Sequence, residues 1–60
     1  MGYEFCMNYH GVGVRCVYDD RTGKWQVWIN HPTGEVMLPV DPHTASEAMN
    51  LAFDYINGNA

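Results

Sequence analysis

The side chains in this 60-residue sequence that could do chemistry are two thiols, three histidines and one pair of adjacent carboxylates. A nucleophilic thiol needs a nearby base, and a zinc site needs four converging Cys or His ligands, commonly spaced C-x-x-C or H-x-x-x-H. Neither spacing occurs, and His10, His31 and His43 are far apart in the chain. We therefore predict no catalytic residue, no metal site and no cofactor.

Turn signals predict the elements that position these side chains. His10-Gly11, the run from Asp19 to Gly23 and the run from His31 to Gly34 each carry a glycine suited to a hairpin turn. Asp19 and Asp20 fall in the second of these runs, where aspartates commonly form turns. Four strands are expected between and beside these turns, at residues 3–9, 12–19, 24–30 and 35–40.

Alternation along these strands selects one antiparallel register. It aligns Tyr3, Phe5, Met7 and Tyr9 with apolar residues of the second strand, and those in turn with Trp25, Val27 and Ile29. A slip by one residue would place an apolar set against polar side chains, so other registers are disfavoured. Pro39 lacks an N–H group and indicates that the fourth strand lies at an edge or ends there.

A helix is predicted at residues 45–57, after a capping-box pattern formed by Thr44 and Glu47. Its small residues Ala48 and Ala52 would let the helix lie close to the sheet. The chain is therefore expected to be one α+β domain spanning residues 1–60, a four-stranded antiparallel meander with a C-terminal helix on one face (β-β-β-β-α).

One helix covers only one face of such a sheet, so the other face is the candidate binding surface. Its predicted central row is Cys6, Arg15, Trp28 and Met37, with Gln26 beside it. Tryptophan and arginine often dominate protein interfaces, and a guanidinium stacks favourably on an indole. Three interpretations are open: Trp28 packs beneath Arg15 and Met37 only to shield the sheet, it anchors a protein contact, or it stacks on a nucleic-acid base.

Size and charge narrow the partner class. A chain of this length buries only about 60% of its unfolded surface, so a second copy or another protein would add stability. Three cations stand against seven carboxylates, a formal charge of −4. This balance opposes attraction to nucleic acid and to anionic lipid.

The two cysteines indicate a reducing compartment. Strand alternation puts Cys6 and Cys16 on opposite faces, which opposes a disulfide between them. Cys6 is then a candidate for oxidation or for a disulfide between chains, although an inert thiol is the simpler interpretation. Residues 1–9 show neither a basic segment nor a long apolar run, so we predict no signal peptide, no membrane span and a cytoplasmic protein.

The segment from Tyr9 onward resembles the three-stranded sheet plus helix of plant AP2/ERF-type DNA-binding domains and of phage integrase arm-binding modules. The resemblance rests on YHGV at residues 9–12, GKW at 23–25 and TASEA at 44–48. It implies that the uncovered face enters a DNA major groove through Arg15, Lys24 and Trp28. This chain departs from the family in its additional N-terminal strand and its acidic balance.

The expected function is a non-enzymatic protein-interaction module, with an unidentified protein or a second copy as partner. A symmetric dimer would pair two uncovered faces or two edge strands. The contact would be made by Trp28, Arg15, Met37, Cys6 and Gln26 on the uncovered face. The alternative is a nucleic-acid-binding module that uses the same face.

Overall fold

The computed structural model describes residues 3–58, and it confirms the α+β meander with one helix. The elements, in chain order, are the four strands β1 (Glu4–Tyr9), β2 (Val12–Asp19), β3 (Lys24–His31) and β4 (Gly34–Met37), and the helix α1 (Ala45–Gly58). Neighbours in the chain are neighbours in the sheet, in the order β1-β2-β3-β4, and every pair is antiparallel.

The predicted register is confirmed across all three strand pairs. Phe5 lies opposite Cys16, Cys16 opposite Val27, and Ile29 opposite Val36. The first turn needs positive φ at both of its residues, with His10 at 53° and Gly11 at 79°. Such a two-residue turn matches the right-handed twist of its strands, and glycine takes this backbone conformation without the steric cost that a Cβ brings.

The fourth strand is shorter than predicted, because it ends at Met37 and not at residue 40. The Leu38 N–H still donates to the Val27 carbonyl at 2.8 Å. Pro39 follows and has no N–H to continue the ladder, so the chain turns away there. It returns along β3, where the Trp25 N–H donates to the Pro42 carbonyl at 2.8 Å.

The core lies between α1 and the two central strands. Ala48 and Ala52 have no exposed surface, and they pack in one cluster with buried residues of β2 and β3, namely Val14, Cys16, Val27 and Ile29. Trp25 and Phe5 are partly buried, pack against this cluster and form an edge-to-face pair with centroids 5.6 Å apart.

The ends of α1 are held by specific side chains. At its start the Glu47 N–H donates to the Thr44 hydroxyl oxygen at 3.1 Å, which is the predicted cap, and the hydroxyl lies 3.5 Å from the Glu47 carboxylate. Near its end Phe53 stacks on Tyr9 with centroids 4.4 Å apart. This contact and the 3.0 Å hydrogen bond from Asn57 Nδ2 to the Tyr9 hydroxyl tie the helix to β1.

Candidate functional site

The sheet face opposite α1 is called the helix-free face here. Its central row follows from the ladder, in which Cys6 lies opposite Arg15, Arg15 opposite Trp28, and Trp28 opposite Met37. The same alternation adds flanking residues to this face: Glu4, Val17 and Gln26 on one side, and Asn8, Gly13, Asn30 and Glu35 on the other.

Trp28 is half-buried and is fixed from two directions. Its Nε1–H donates to the Gln26 side-chain oxygen at 3.2 Å. The Arg15 guanidinium carbon lies 5.1 Å from the ring centroid, within the range of a cation–π contact. The indole is absent from the core cluster beneath the helix. It therefore presents a positioned aromatic surface on the helix-free face.

Arg15 crosses β3 to reach an acidic residue on β4. Its Nη2 and Nε donate to the two Glu35 carboxylate oxygens at 3.0 and 3.1 Å, and Nη1 donates to Glu4 at 3.4 Å. Because β3 lies between β2 and β4, this reach carries the guanidinium over the Trp28 ring. A fork-to-carboxylate arrangement fixes the plane of the guanidinium as well as its position.

The carboxylates also set the charge of this face. The hydrogen bond from Arg15 lowers the pKa of Glu35, and the bond to Glu35 is the main reason that the pKa of Arg15 is raised. One cation facing two carboxylates leaves the centre of the face with excess negative charge. Strand alternation puts Glu4 and Glu35 on this face, but it does not indicate that both bind Arg15.

The remaining candidates surround this cluster. Met37 is 48% exposed, Cys6 is exposed, and Gln26 accepts a hydrogen bond from the indole.

Next to Arg15, Gly13 has no side chain and leaves a notch between Asn8 and Asn30. A Cβ at Gly13 would lie 3.2 Å from the Cβ of Asn30, so the notch depends on the glycine. No signal in the sequence pointed to this notch.

The other reactive side chains lie outside the central row of the helix-free face. Cys16 is buried in the core, and this burial raises its pKa. The His31 Nε2 atom lies 3.2 Å from the Tyr55 hydroxyl oxygen, on the helix side of the sheet. The Asp19 carboxylate accepts the Arg21 N–H at 3.0 Å, as a turn former does. Within residues 3–58, no three His, Cys, Asp or Glu side chains converge as a metal site would require.

Lys24 stands at the end of the helix-free face. It lies opposite Asp19 in the ladder, and its Nζ is 4.0 Å from the Asp41 carboxylate. Arg15 and Lys24 were the two cations that the AP2/ERF resemblance assigned to DNA contacts. Both therefore lie beside carboxylates.

Comparison with known proteins adds no relative. No protein-family model matches the chain, and neither the curated proteins nor the solved structures contain a match. The part of the chain that the structure describes contains no helix long and apolar enough to cross a membrane.

Proposed function

We propose that this chain is a non-enzymatic protein-interaction module that binds its partner on the helix-free face. Trp28 is the anchor, Arg15 and Met37 flank it, and Gln26 and Cys6 complete the contact surface. A second copy of the chain is the simplest partner, because one twofold axis would let each Trp28 contact the other face.

The fixed Trp28 indole is the observation that supports this proposal. Side chains that are already ordered lose little conformational entropy when a partner binds them. The hydrogen bond to Gln26 and the cation–π contact with Arg15 hold the indole in place before any partner binds. Tryptophan, arginine and methionine are also the residues enriched at interface centres, and Met37 beside the indole is largely open to solvent.

The proposal assigns no reaction to the protein and places it in the reducing cytoplasm. Arg15, the one charged side chain in the central row, is already engaged by the carboxylates of Glu35 and Glu4. Cys6 is exposed and is not in a disulfide, which is the state that thiols keep in the cytosol.

Adjacent residues of β4 offer a matched test of the face. Met37 points to the helix-free side and Val36 to the helix side, and their exposures are 48% and 45%. Proteins retained from native lysate on immobilised wild type should be retained by Val36→Lys and lost with Met37→Lys and Trp28→Ala. Quantitative mass spectrometry measures this, and light scattering at high micromolar concentration measures self-association in the same four proteins.

Two results would count against the proposal. One is equal recovery of every captured protein by Met37→Lys and Val36→Lys. The other is a wild type that captures no protein and stays monomeric at high micromolar concentration.

Nucleic-acid binding through the same face is the second candidate, and it comes from the half-buried arginine–tryptophan pair. Affinity for nucleic acid depends strongly on cations that are free to neutralise phosphates. Glu35 and Glu4 already occupy the Arg15 guanidinium, and a phosphate would have to displace them. A gel shift at low salt with duplex and single-stranded oligonucleotides tests this candidate, and retardation that Arg15→Ala removes would favour it.

A further inference from the structure

The outer edge of β1 exposes a row of backbone hydrogen-bonding groups. β1 is an edge strand, and the Tyr18 N–H donates to the Tyr3 carbonyl at 2.7 Å. In an antiparallel ladder the residues that bond to the neighbouring strand alternate with residues that bond outward. Tyr3, Phe5, Met7 and Tyr9 therefore bond to β2, and the N–H and C=O groups of Glu4, Cys6 and Asn8 point away from the sheet.

The opposite edge is protected against pairing. β4 has only four residues, and Pro39 turns the chain away after the strand. Short strands, charges and prolines are the features by which proteins prevent pairing at a sheet edge. β1 has six residues, no proline and one charged residue, Glu4. It is therefore the edge that is open to another strand.

We propose that a second copy of this chain pairs with β1 through its own β1, antiparallel and with Cys6 of each copy on the twofold axis. Cys6 then lies opposite the partner's Cys6, and Glu4 lies opposite the partner's Asn8. In this register all three outward-facing residues of each strand bond to the partner. A symmetric pairing centred on Phe5 or Met7 would leave one of the three without a partner inside β1.

Side-chain chemistry supports the same register. On the helix side Phe5 would face the partner's Met7, and Tyr3 the partner's Tyr9, so apolar and aromatic residues meet. Tyr3 is 68% exposed, which is the largest exposure among the large apolar side chains that the structure describes. On the other side the Glu4 carboxylate would meet the amide of the partner's Asn8. Pairing therefore covers Tyr3 and places no two like charges opposite each other.

The helix leaves room for this pairing. α1 packs mainly on β2 and β3 and contacts β1 near its end through Tyr9, so two helices on the same side of a joined sheet would lie on opposite sides of the new junction. The joined sheet would have eight strands, with a protected β4 at each end. Because the contact is isologous, it closes at two copies and does not extend into a filament.

This interface is distinct from the proposed docking of a partner on the helix-free face. Edge pairing runs in the plane of the sheet through backbone groups, whereas face docking uses the side chains of Trp28 and Met37. Two paired copies would carry their helix-free faces side by side on one continuous surface. Either proposal can therefore fail while the other stands.

Disulfide formation at Cys6 tests the register directly. Opposed residues that exchange both hydrogen bonds have Cα atoms about 5.5 Å apart, which a disulfide can span. Two Cys6 thiols and one oxidised glutathione give one disulfide between chains and two reduced glutathiones. We expect the cross-linked dimer, identified by peptide mapping, to form several-fold faster under native conditions than in concentrated urea at the same protein concentration.

Moving the thiol along β1 supplies matched controls in the Cys6→Ser background. Glu4→Cys alone should not cross-link beyond the urea baseline, since the two copies of position 4 would lie about 13 Å apart along the strands. An equimolar mixture of the Glu4→Cys and Asn8→Cys proteins should form the mixed disulfide, because these positions face each other. Met37→Lys, which changes the helix-free face at β4 and not the β1 edge, should leave Cys6 cross-linking unchanged.

The proposal is overturned by any of four results. These are a native rate no higher than in urea, cross-linking of Glu4→Cys alone as fast as Cys6, no mixed disulfide in the mixture, or loss of Cys6 cross-linking in Met37→Lys. The last result would show that copies meet through the helix-free face.

Discussion

The Arg15 guanidinium lies 5.1 Å from the centroid of the Trp28 ring, and it is held there by two bonds to Glu35 and a third to Glu4. Glu35 and Glu4 therefore orient the guanidinium that covers the Trp28 ring. A partner that binds Trp28 would therefore meet a guanidinium of fixed orientation and a surface with excess negative charge. Two of the acidic residues of the chain, Glu35 and Glu4, thus contribute to the geometry of the candidate binding face.

The first prediction concerns the pH dependence of this cluster. Because Arg15 lowers the pKa of Glu35 in the folded state, the unfolded chain binds that proton more readily. The pair therefore stabilises the fold at pH values above the ordinary glutamate pKa, and this contribution is lost as the pH falls through the lowered pKa. We expect Arg15→Met to raise the pKa of Glu35, measured by NMR titration of its carboxyl carbon. An unchanged titration in Arg15→Met would contradict the assigned cause.

The second prediction concerns the two thiols. Cys6 is exposed, whereas Cys16 has no exposed surface and its pKa is raised by burial and by the nearby Cys6. The thiolate is the reactive form, so iodoacetamide should modify Cys6 and spare Cys16 in the folded protein. Peptide mass spectrometry measures both, and the two rates should converge in concentrated urea. Equal modification before unfolding would disprove the strand register.

The third prediction concerns the first hairpin turn. Gly11 has a φ of 79°, and open space surrounds the position that an added Cβ would take. Gly11→Ala therefore strains the backbone without a clash with other residues. The left-handed conformation costs roughly 1–2 kcal/mol for a residue with a Cβ, and we expect that loss in the free energy of unfolding. Urea titration measures it. Gly58→Ala is the control, with open space at α1 and no positive φ, and it should not destabilise the protein.

The fourth prediction concerns the spacing between helix and sheet. Ala52 has no exposed surface and lies in the core cluster with Val27 and Ile29, so Ala52→Leu must displace packed atoms. Overpacking of this kind typically costs about 1–3 kcal/mol. The exposed Asn50 on the same helix is the matched site, and Asn50→Leu should stay within about 0.5 kcal/mol of wild type. Equal stability of Ala52→Leu and Asn50→Leu in urea titrations would show that the helix does not pack through Ala52.

Much of the fold could be predicted from local patterns. Alternating apolar residues and the turns at His10-Gly11 and Pro32-Thr33 define which residues are paired, and Thr44 marks the start of the helix. Parity alone then places Trp28 on the face away from α1, because Val27 and Ile29 on either side of it must be buried. The fourth strand was predicted to continue to residue 40 but ends at Met37, although Pro39 did indicate from the sequence that this strand lies at an edge or ends there.

The contacts between distant residues came only from the tertiary structure. Arg15 and Glu35 are twenty positions apart on strands that are not neighbours, and their pairing depends on sheet twist and side-chain reach across β3. Tyr9 likewise meets Phe53 and Asn57 only because the helix crosses the sheet at one particular angle. Local sequence specifies turns, strand parity and helix capping, since those depend on a few neighbouring residues. The charge and order of the binding face depend on distances that exist only after the elements have packed.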